Sequence, residues 1–179
     1  MRAEDRGLGP FWLLFAVGWA LFAVLALTNG GLVTAASPGG VLDHQVAGSA
    51  ARVDEIQAAW RAAGALPAAQ FAIGLDLAFI GVLTAAGTIG GVRIAQGASG
   101  PVVRALGAFA AVAFLAFGLA DYAETIAQFV QVNAAGDDDL ARLAATANPP
   151  KITAFLAAHV ALAGGLAGRW LARRRAAGV

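Results

Sequence analysis

The sequence contains no cysteine, and only 13% of its 179 residues are charged. The lack of cysteine excludes disulfide bridges, thiolate metal sites and thiol redox chemistry. The small charged fraction, with a hydrophobic fraction of 59% and a mean hydropathy of +0.72, differs widely from the composition of an ordinary soluble domain. The composition therefore predicts an integral membrane protein whose surroundings are a lipid bilayer.

Histidine is also scarce, with only His44 and His159 in the chain. A haem held by two histidines is not expected, because only His159 lies in an apolar stretch. Bundle di-metal sites use Glu-x-x-His on paired helices, and this spacing is missing. Any metal site would have to draw on Asp121, Glu124 and His159. His44, beside Asp43, is expected to be an exposed loop residue.

No nucleophile motif or cofactor fingerprint accompanies these residues, so no cofactor is predicted. The formal net charge of +1 gives no reason to expect nucleic acid as a partner. The partners that remain are lipid, a lipid-like small molecule, a second copy of the chain, or a larger membrane complex.

Four apolar stretches are long enough to cross a bilayer core, which takes about 20 helical residues. They cover approximately residues 10–36, 67–92, 101–132 and 150–171. The first is much longer than the apolar part of a signal peptide, and Arg2 and Arg6 are offset by Glu4 and Asp5, so we expect it to be retained. The sequence predicts an all-α, four-helix membrane bundle that forms a single domain over residues 1–179.

Positive charges indicate the orientation of this bundle. Arginines lie in the C-terminal tail and in the connection 93–104, whereas the other two connections carry the acidic residues. By the positive-inside rule, both termini are predicted to be cytoplasmic and the two acidic loops to face outward.

Each outer loop is predicted to contain a short amphipathic helix. In the first loop Ser49 is a plausible cap, and Val53, Ile56, Trp60 and Ala63 recur at helical spacing. In the second loop the segment 136–145 begins with acidic residues and precedes the pair Pro149–Pro150, with Pro150 predicted to open the fourth span.

Small residues are expected to hold the spans together, because lipid offers apolar helices no hydrophobic driving force to associate. Gly87 and Gly91 form a GxxxG pair in the second span, and Gly164 and Gly168 form another in the fourth. We interpret both pairs as sites of close packing inside the bundle.

The third span carries a polar stripe. Asp121, Glu124, Thr125 and Gln128 follow the spacing i, i+3, i+4, i+7 and so share one side of a helix. Exposing an acidic residue to lipid near a helix centre costs about 2.5 to 3.5 kcal/mol, so the stripe is expected to face the bundle interior.

Polar residues of the other spans are predicted to lie in the same layer. Counted from the outer ends of their spans, Asn29, Asp76, Glu124 and His159 lie about 10 to 13 Å deep, and Asp121 about 16 Å deep. Three carboxyl groups in this layer cannot all stay ionised without compensation. His159 is the expected partner, and Lys151 is expected to reach the outer rim.

Several functions fit such a layer. The leading hypothesis is a polar cavity in the outer half of the bundle, built on Asp76, Asp121, Glu124 and His159, that binds a small lipid-like ligand or a cation or exchanges protons. Further candidates to bind the ligand or ion are Tyr122, Thr125, Gln128 and Asn29. Tyr122 can point either into the cavity or towards a neighbouring helix. The layer can also be a purely structural network in which the acids and His159 bond to one another and to Tyr122 or Asn29. Two further alternatives are an intramembrane acid–base enzyme acting on a lipophilic substrate, and an accessory subunit of a larger membrane complex.

The segment ADYAETI, residues 120–126, resembles the Asp-x-x-Glu-Asn segment in a late span of small bacterial four-span membrane proteins. Thr125 stands where those proteins have asparagine. The resemblance implies a four-helix fold and a bacterial inner-membrane location, and it implies no particular activity.

Overall fold

A computed structural model describes residues 7–98 and 100–177, and all regular structure in these ranges is helical. The prediction of an all-α chain is therefore confirmed. The charged residues that precede the first span, Arg2, Glu4, Asp5 and Arg6, lie outside the described ranges. The helices are α1 Gly9–Asn29, which continues into a 3-10 turn at Gly30–Leu32, α2 Val41–Gln45, α3 Ala50–Ala62, α4 Leu66–Gln96, α5 Pro101–Val132 and α6 Asp138–Ala176.

Four of these helices are long and apolar enough to cross a membrane: α1 with its 3-10 turn, α4, α5 and α6. Each of them exposes large apolar side chains, with relative exposures that reach 82% at Leu27, 75% at Leu119 and 73% at Val160. Contiguous apolar surface of this kind is rare on a soluble monomer. The length of the helices and the character of their surface both indicate that they contact lipid.

The four long helices pack in chain order, with α1 against α4, α4 against α5 and α5 against α6. Along the described helices, the backbones of α1 and α6 do not approach closely, although Phe15 and Trp19 of α1 meet the ring of His159 on α6. We call the end with α2, α3 and the α5–α6 connection the loop end, and the opposite end, with the start of α1 and the end of α6, the terminal end. The incomplete closure between α1 and α6 shapes the site described below.

The closest helix approach joins α4 and α5 near the terminal end. A Cβ atom added to Gly91 would lie 2.6 Å from both Ala111 N and Gly107 O, so only glycine fits. Gly87 lies against the ring of Phe114. Gly164, by contrast, has only Leu106 Cδ1 near its added Cβ, at 3.4 Å. A Cβ added to Gly168, the second glycine of that pair, would lie 2.6 Å from Val103 Cγ2. The glycine pair of α4 and Gly168 of α6 therefore allow close packing inside the bundle, whereas Gly164 contributes little.

Helix α3 covers the loop end. Ser49 Oγ accepts a hydrogen bond from Arg52 N at the start of this helix, and Val53, Ile56 and Trp60 are fully buried. The indole of Trp60 donates to Leu32 O at 2.8 Å. This bond ties α3 to the end of α1.

The second loop differs from the expectation of a separate helix, because α6 runs without interruption from Asp138 through Pro149 and Pro150 to Ala176. Asp137 caps its first turn by accepting from Asp139 N and Leu140 N. Internal prolines are tolerated in membrane helices where neighbouring groups satisfy the freed carbonyls. Pro150, which was predicted to open the fourth span, therefore lies inside α6, twelve residues or about 18 Å past Asp138.

Candidate functional site

The polar stripe of α5 faces the bundle interior. Asp121, Glu124, Thr125 and Gln128 are each at most 3% exposed. They lie between two apolar clusters, one centred on Phe114 and Ile80 towards the terminal end and the other formed under α3. A polar layer thus divides the core into two parts.

Glu124 is the most heavily bonded residue of this layer. Its Oε1 accepts from Lys151 Nζ at 2.6 Å and from Gln128 Nε2 at 3.1 Å, and its Oε2 accepts from Asn148 Nδ2 at 3.1 Å. A buried carboxylate with an ammonium partner and two amide donors is well satisfied. Glu124 therefore acts chiefly as the anchor that joins α5 to α6.

Lys151 is the cation of the layer, which differs from its predicted place at the rim. Its ammonium lies 2.6 Å from Glu124 Oε1 and 3.3 Å from Asp121 Oδ1, and its side chain is 11% exposed. The prediction was wrong because it treated Pro150 as the start of the span. With α6 beginning at Asp138, Lys151 lies well inside the helix and level with the stripe.

Asp76 brings α4 into the layer. Its Oδ2 accepts a hydrogen bond from Thr125 Oγ1 at 3.0 Å. Asp76, Asp121, Glu124 and Lys151 thus form one group, which we call the carboxylate cluster. Three helices, α4, α5 and α6, contribute to it.

A cavity of about 560 Å³, which we call the chamber, lies beside the carboxylate cluster. Its volume falls in the range of about 300–1,000 Å³ that holds small ligands in proteins. One wall is polar, formed by Asp76, Asp121, Gln128, Asn148 and Lys151. The remaining walls are apolar and are contributed mainly by Phe22, Leu25, Phe79, Phe117, Phe155 and Leu156.

The chamber opens sideways between α1 and α6. Phe22 and Ala26 on α1 and Ile152 and Leu156 on α6 line it, and all four are exposed. They stand on either side of the gap where the two helices do not pack closely. Leu42 of α2, which is 57% exposed, also lines the chamber, so its open side lies along the apolar faces of α1 and α6 and reaches α2 at the loop end.

Asn29 holds the segment that covers the chamber at the loop end. Its Oδ1 accepts from Val41 N at 2.7 Å, and its Nδ2 donates to Gly39 O at 3.2 Å. Gly40 has φ of +67°, and an added Cβ would collide with the Asn29 amide, so the turn requires glycine. Asn29, predicted as a ligand-binding residue, lines the chamber but uses its amide to position this cover.

The structure does not bring His159 into the carboxylate cluster. His159 Nδ1 bonds to Phe155 O at 2.8 Å, and its ring lies among Phe15, Trp19, Phe114 and Phe155. It lies eight residues past Lys151 on α6, about 12 Å further towards the terminal end. The predicted depth was wrong for the same reason as for Lys151, and the expected pairing of His159 with the acids is not formed.

Tyr122 lies outside the chamber. Its hydroxyl donates to Leu77 O on α4 at 3.1 Å and fits beside Gly81, where an added Cβ would lie 2.7 Å from the oxygen. Tyr122 therefore bonds to a neighbouring helix, which was one of the two arrangements open from the sequence.

Within residues 7–98 and 100–177, no group of three His, Asp or Glu side chains is arranged to hold a metal ion. Asp121, Glu124 and His159, the set considered from the sequence, do not converge. The intramembrane acid–base alternative had Asp121 and Glu124 as acid and base with His159 assisting. The two acids lie together beside Lys151, but His159 lies away from them, so the assisting contact is not formed.

His44 is buried, with 1% exposure, which contradicts its predicted place in an exposed loop. Its ring stacks on Trp60 at a centroid distance of 5.4 Å, and its Nε2 lies 3.5 Å from Gln57 Nε2. Burial lowers the pKa of His44 from 6.5 to about 4, against a smaller opposite effect of the Gln128 side chain. The neighbouring Asp43 had suggested solvent, but that carboxylate binds Gly39 N instead.

The depressed pKa of His44 predicts a loss of stability in mild acid. Between pH 6.5 and about 4 the unfolded chain binds a proton at this ring that the folded chain does not, so the free energy of unfolding falls as the pH falls. The slope is at most about 1.4 kcal/mol per pH unit. Unfolding in detergent is measured at pH 7 and at pH 5 for the wild type and for His44→Phe. The carboxylates titrate in both proteins, so the free energy of unfolding should fall with pH in both, but by less in His44→Phe. An equal fall in the two proteins would contradict the buried, neutral state of His44.

The sequence suggested Lys151 only as a rim residue, and it gave no sign that Asn148 takes part in the site. The spacing of the two residues could have revealed them. Asn148 and Lys151 lie three residues apart, so on a continuous helix they share one side and can face the polar stripe of α5 together. The pair Pro149–Pro150 concealed this pattern because prolines usually mark a helix boundary.

The fold and the site define a multi-pass membrane protein with a buried ion-paired layer beside a cavity. Comparison of the chain with protein-family models, with curated proteins and with solved structures finds no match in any of the three. The resemblance of residues 120–126 to bacterial four-span proteins stays a prediction.

Proposed function

We propose that this protein binds a single-chain amphiphile that enters the chamber from the lipid through the gap between α1 and α6. The observation that supports this most is the combination of a lateral opening, apolar walls and one polar wall in the same cavity. An amphiphile moving within a leaflet can place its chain against Phe79 and Phe117 while its head meets the carboxylate cluster. Burial of a ligand's apolar surface together with a few oriented polar contacts is typical of small-molecule sites.

The alternative of a purely structural network explains only part of the layer. It accounts for Glu124 and Lys151, whose contacts are complete. It leaves two buried acceptors on the chamber wall without a well-directed hydrogen bond: Asp121 Oδ1, which has only the Lys151 ammonium at 3.3 Å, and Gln128 Oε1, which has only the His44 ring at longer range. Buried polar atoms are usually satisfied, so acceptors at this wall favour a binding role.

We place the protein in a bacterial inner membrane with both termini in the cytoplasm. This part of the proposal rests on the arginines: Arg93 and Arg169 lie together at the terminal end, where Arg169 donates to Arg93 O at 2.6 Å, and Arg173, Arg174 and Arg175 follow on α6. The chamber then lies in the outer half of the bilayer, and the ligand comes from the outer leaflet.

Blocking the opening tests the binding role. Ala26 is exposed and lines the chamber beside the gap, so Ala26→Phe places a ring in the gap between α1 and α6. The control is Ala23→Phe, which adds the same ring at an exposed position of α1 that does not line the chamber. Native mass spectrometry of protein extracted in mild detergent should show one bound amphiphile in the wild type and in Ala23→Phe. The adduct should be lost in Ala26→Phe.

Equal occupancy in Ala26→Phe and Ala23→Phe, or no adduct in any of the three proteins, would contradict the proposal. Thermal unfolding of both variants checks that the loss of ligand does not reflect loss of folding.

A further inference from the structure

The polar wall of the chamber is unbalanced in charge and in hydrogen bonding. Three carboxyl groups, those of Asp76, Asp121 and Glu124, share the single ammonium of Lys151. The shorter contact of that ammonium is with Glu124, at 2.6 Å, and Glu124 does not line the chamber. The positive charge is therefore placed mainly on the carboxylate that a ligand does not meet.

The two carboxyl groups that line the chamber are Asp76 and Asp121. Asp76 Oδ2 accepts one hydrogen bond, from Thr125 Oγ1. Asp121 is 3% exposed, and its Oδ1 has only the Lys151 ammonium as a partner, in an ion pair at 3.3 Å that does not form a well-directed hydrogen bond. Asp121 thus presents a buried acceptor at the wall of the chamber.

Gln128 adds a second acceptor beside it. Its Nε2 donates to Glu124, which directs Oε1 away from that carboxylate, and Oε1 has only the His44 ring as a partner, beyond hydrogen-bond geometry. Because Gln128 lies near His44, Asp121 is the stronger of the two observations. Both atoms are acceptors, and the donors on the same wall, Lys151 Nζ and Asn148 Nδ2, are directed to Glu124, so a ligand that donates suits this wall.

We propose, on the basis of the function proposed above, that the ligand's headgroup is a protonated amine bound by Asp121 and Asp76. An ammonium group supplies a positive charge that allows a further carboxyl group of the cluster to ionise, together with several N–H donors, and charge-assisted hydrogen bonds to carboxylates are the strong ones. A carboxylate or phosphate head would meet the Lys151 ammonium, which also lines the chamber, but that ammonium is already paired with Glu124, and the head would bring a like charge to three carboxyl groups. A hydroxyl head donates one bond and brings no positive charge.

A metal cation fits the same wall less well. The described residues contain no group of three His, Asp or Glu side chains arranged around a common point. The apolar walls of Phe22, Leu25, Phe79, Phe117 and Phe155 have no contact to offer a bare ion, whereas they suit the chain of an amphiphilic amine.

A series of probes with the same chain length tests the headgroup. Purified protein in a mild detergent is titrated with dodecylamine, dodecanol, dodecanoate and dodecyltrimethylammonium, and bound probe is counted by native mass spectrometry. We expect dodecylamine to bind at least about tenfold more tightly than dodecanol or dodecanoate. Dodecyltrimethylammonium should fall between, since it carries the charge but no N–H donor.

Two variants show whether the preference comes from the named carboxyl groups. Asp121→Asn and Asp76→Asn each keep the Lys151–Glu124 pair, and each should reduce dodecylamine binding about tenfold while leaving dodecanol binding nearly unchanged. Thermal unfolding without a probe shows whether each variant is folded. If one of the two variants fails to fold, the other still tests the assignment.

The outcomes separate the two proposals. If all four probes bind with similar affinity, and Ala26→Phe blocks them, then the amine assignment is overturned while amphiphile binding stands. If dodecanoate binds most tightly, the amine assignment is overturned as well. If no probe binds in a way that Ala26→Phe blocks, both proposals fail.

Discussion

Lys151→Met is expected to lower the free energy of unfolding by about 3–5 kcal/mol, because it leaves buried carboxylates without their cation. In the native structure the Lys151 ammonium contacts both Glu124 and Asp121, which are 0% and 3% exposed. Methionine fills a similar volume but supplies neither charge nor donor. Reversible unfolding in mixed micelles of mild and denaturing detergent measures the change.

The double variant Lys151→Met with Glu124→Gln provides the control. Removing the strongest partner carboxylate together with the cation should recover a substantial part of the lost stability, since replacing both members of a buried pair costs far less than removing one. If Lys151→Met unfolds like the wild type, or if the double variant is less stable than the sum of the single changes, the ion pair does not hold α5 and α6 together.

Gly91→Ala is expected to lower the free energy of unfolding by about 1–3 kcal/mol, because an added methyl group meets backbone on the facing helix. The new Cβ would lie 2.6 Å from Ala111 N and from Gly107 O. Backbone atoms cannot turn aside as a flexible side chain can, so α4 and α5 must move apart. This separation also removes packing between neighbouring residues along the crossing.

The same substitution at Gly74 is the matched control on the same helix. A Cβ there would meet only Phe129 Cε2, at an ordinary contact distance of 3.5 Å. Gly74→Ala should therefore leave stability nearly unchanged or raise it slightly, since alanine favours the helix over glycine. Equal destabilisation by both changes would show that the α4–α5 crossing is not specially close.

Much of the architecture follows from the sequence because hydrocarbon imposes strict requirements on a chain. Apolar runs of sufficient length define four spans, and the spacing of Asp121, Glu124, Thr125 and Gln128 defines a face that must turn inward. The structure has four candidate spans and buries that face. These features depend on single helices, which is why periodicity reveals them.

Features that depend on the register between helices were harder to predict. Pro149 and Pro150 are typical of a helix boundary, so the sequence places Lys151 at the outer rim and His159 level with the acids. Because α6 is continuous from Asp138, Lys151 joins the acids and His159 moves away to the aromatic residues around Phe114. The side opening has no sequence signature, since it results from weak packing between the first and last long helices.

The most direct test of the central claim is an experimental structure of the protein in lipid nanodiscs that contain dodecylamine. The proposals predict one elongated ligand in the chamber, with its nitrogen within hydrogen-bond distance of Asp121 and its chain against Phe117 and Phe155. A chamber filled by rearranged side chains, with α1 packed directly on α6 and the probe found only on the outer surface of the helices, would contradict them.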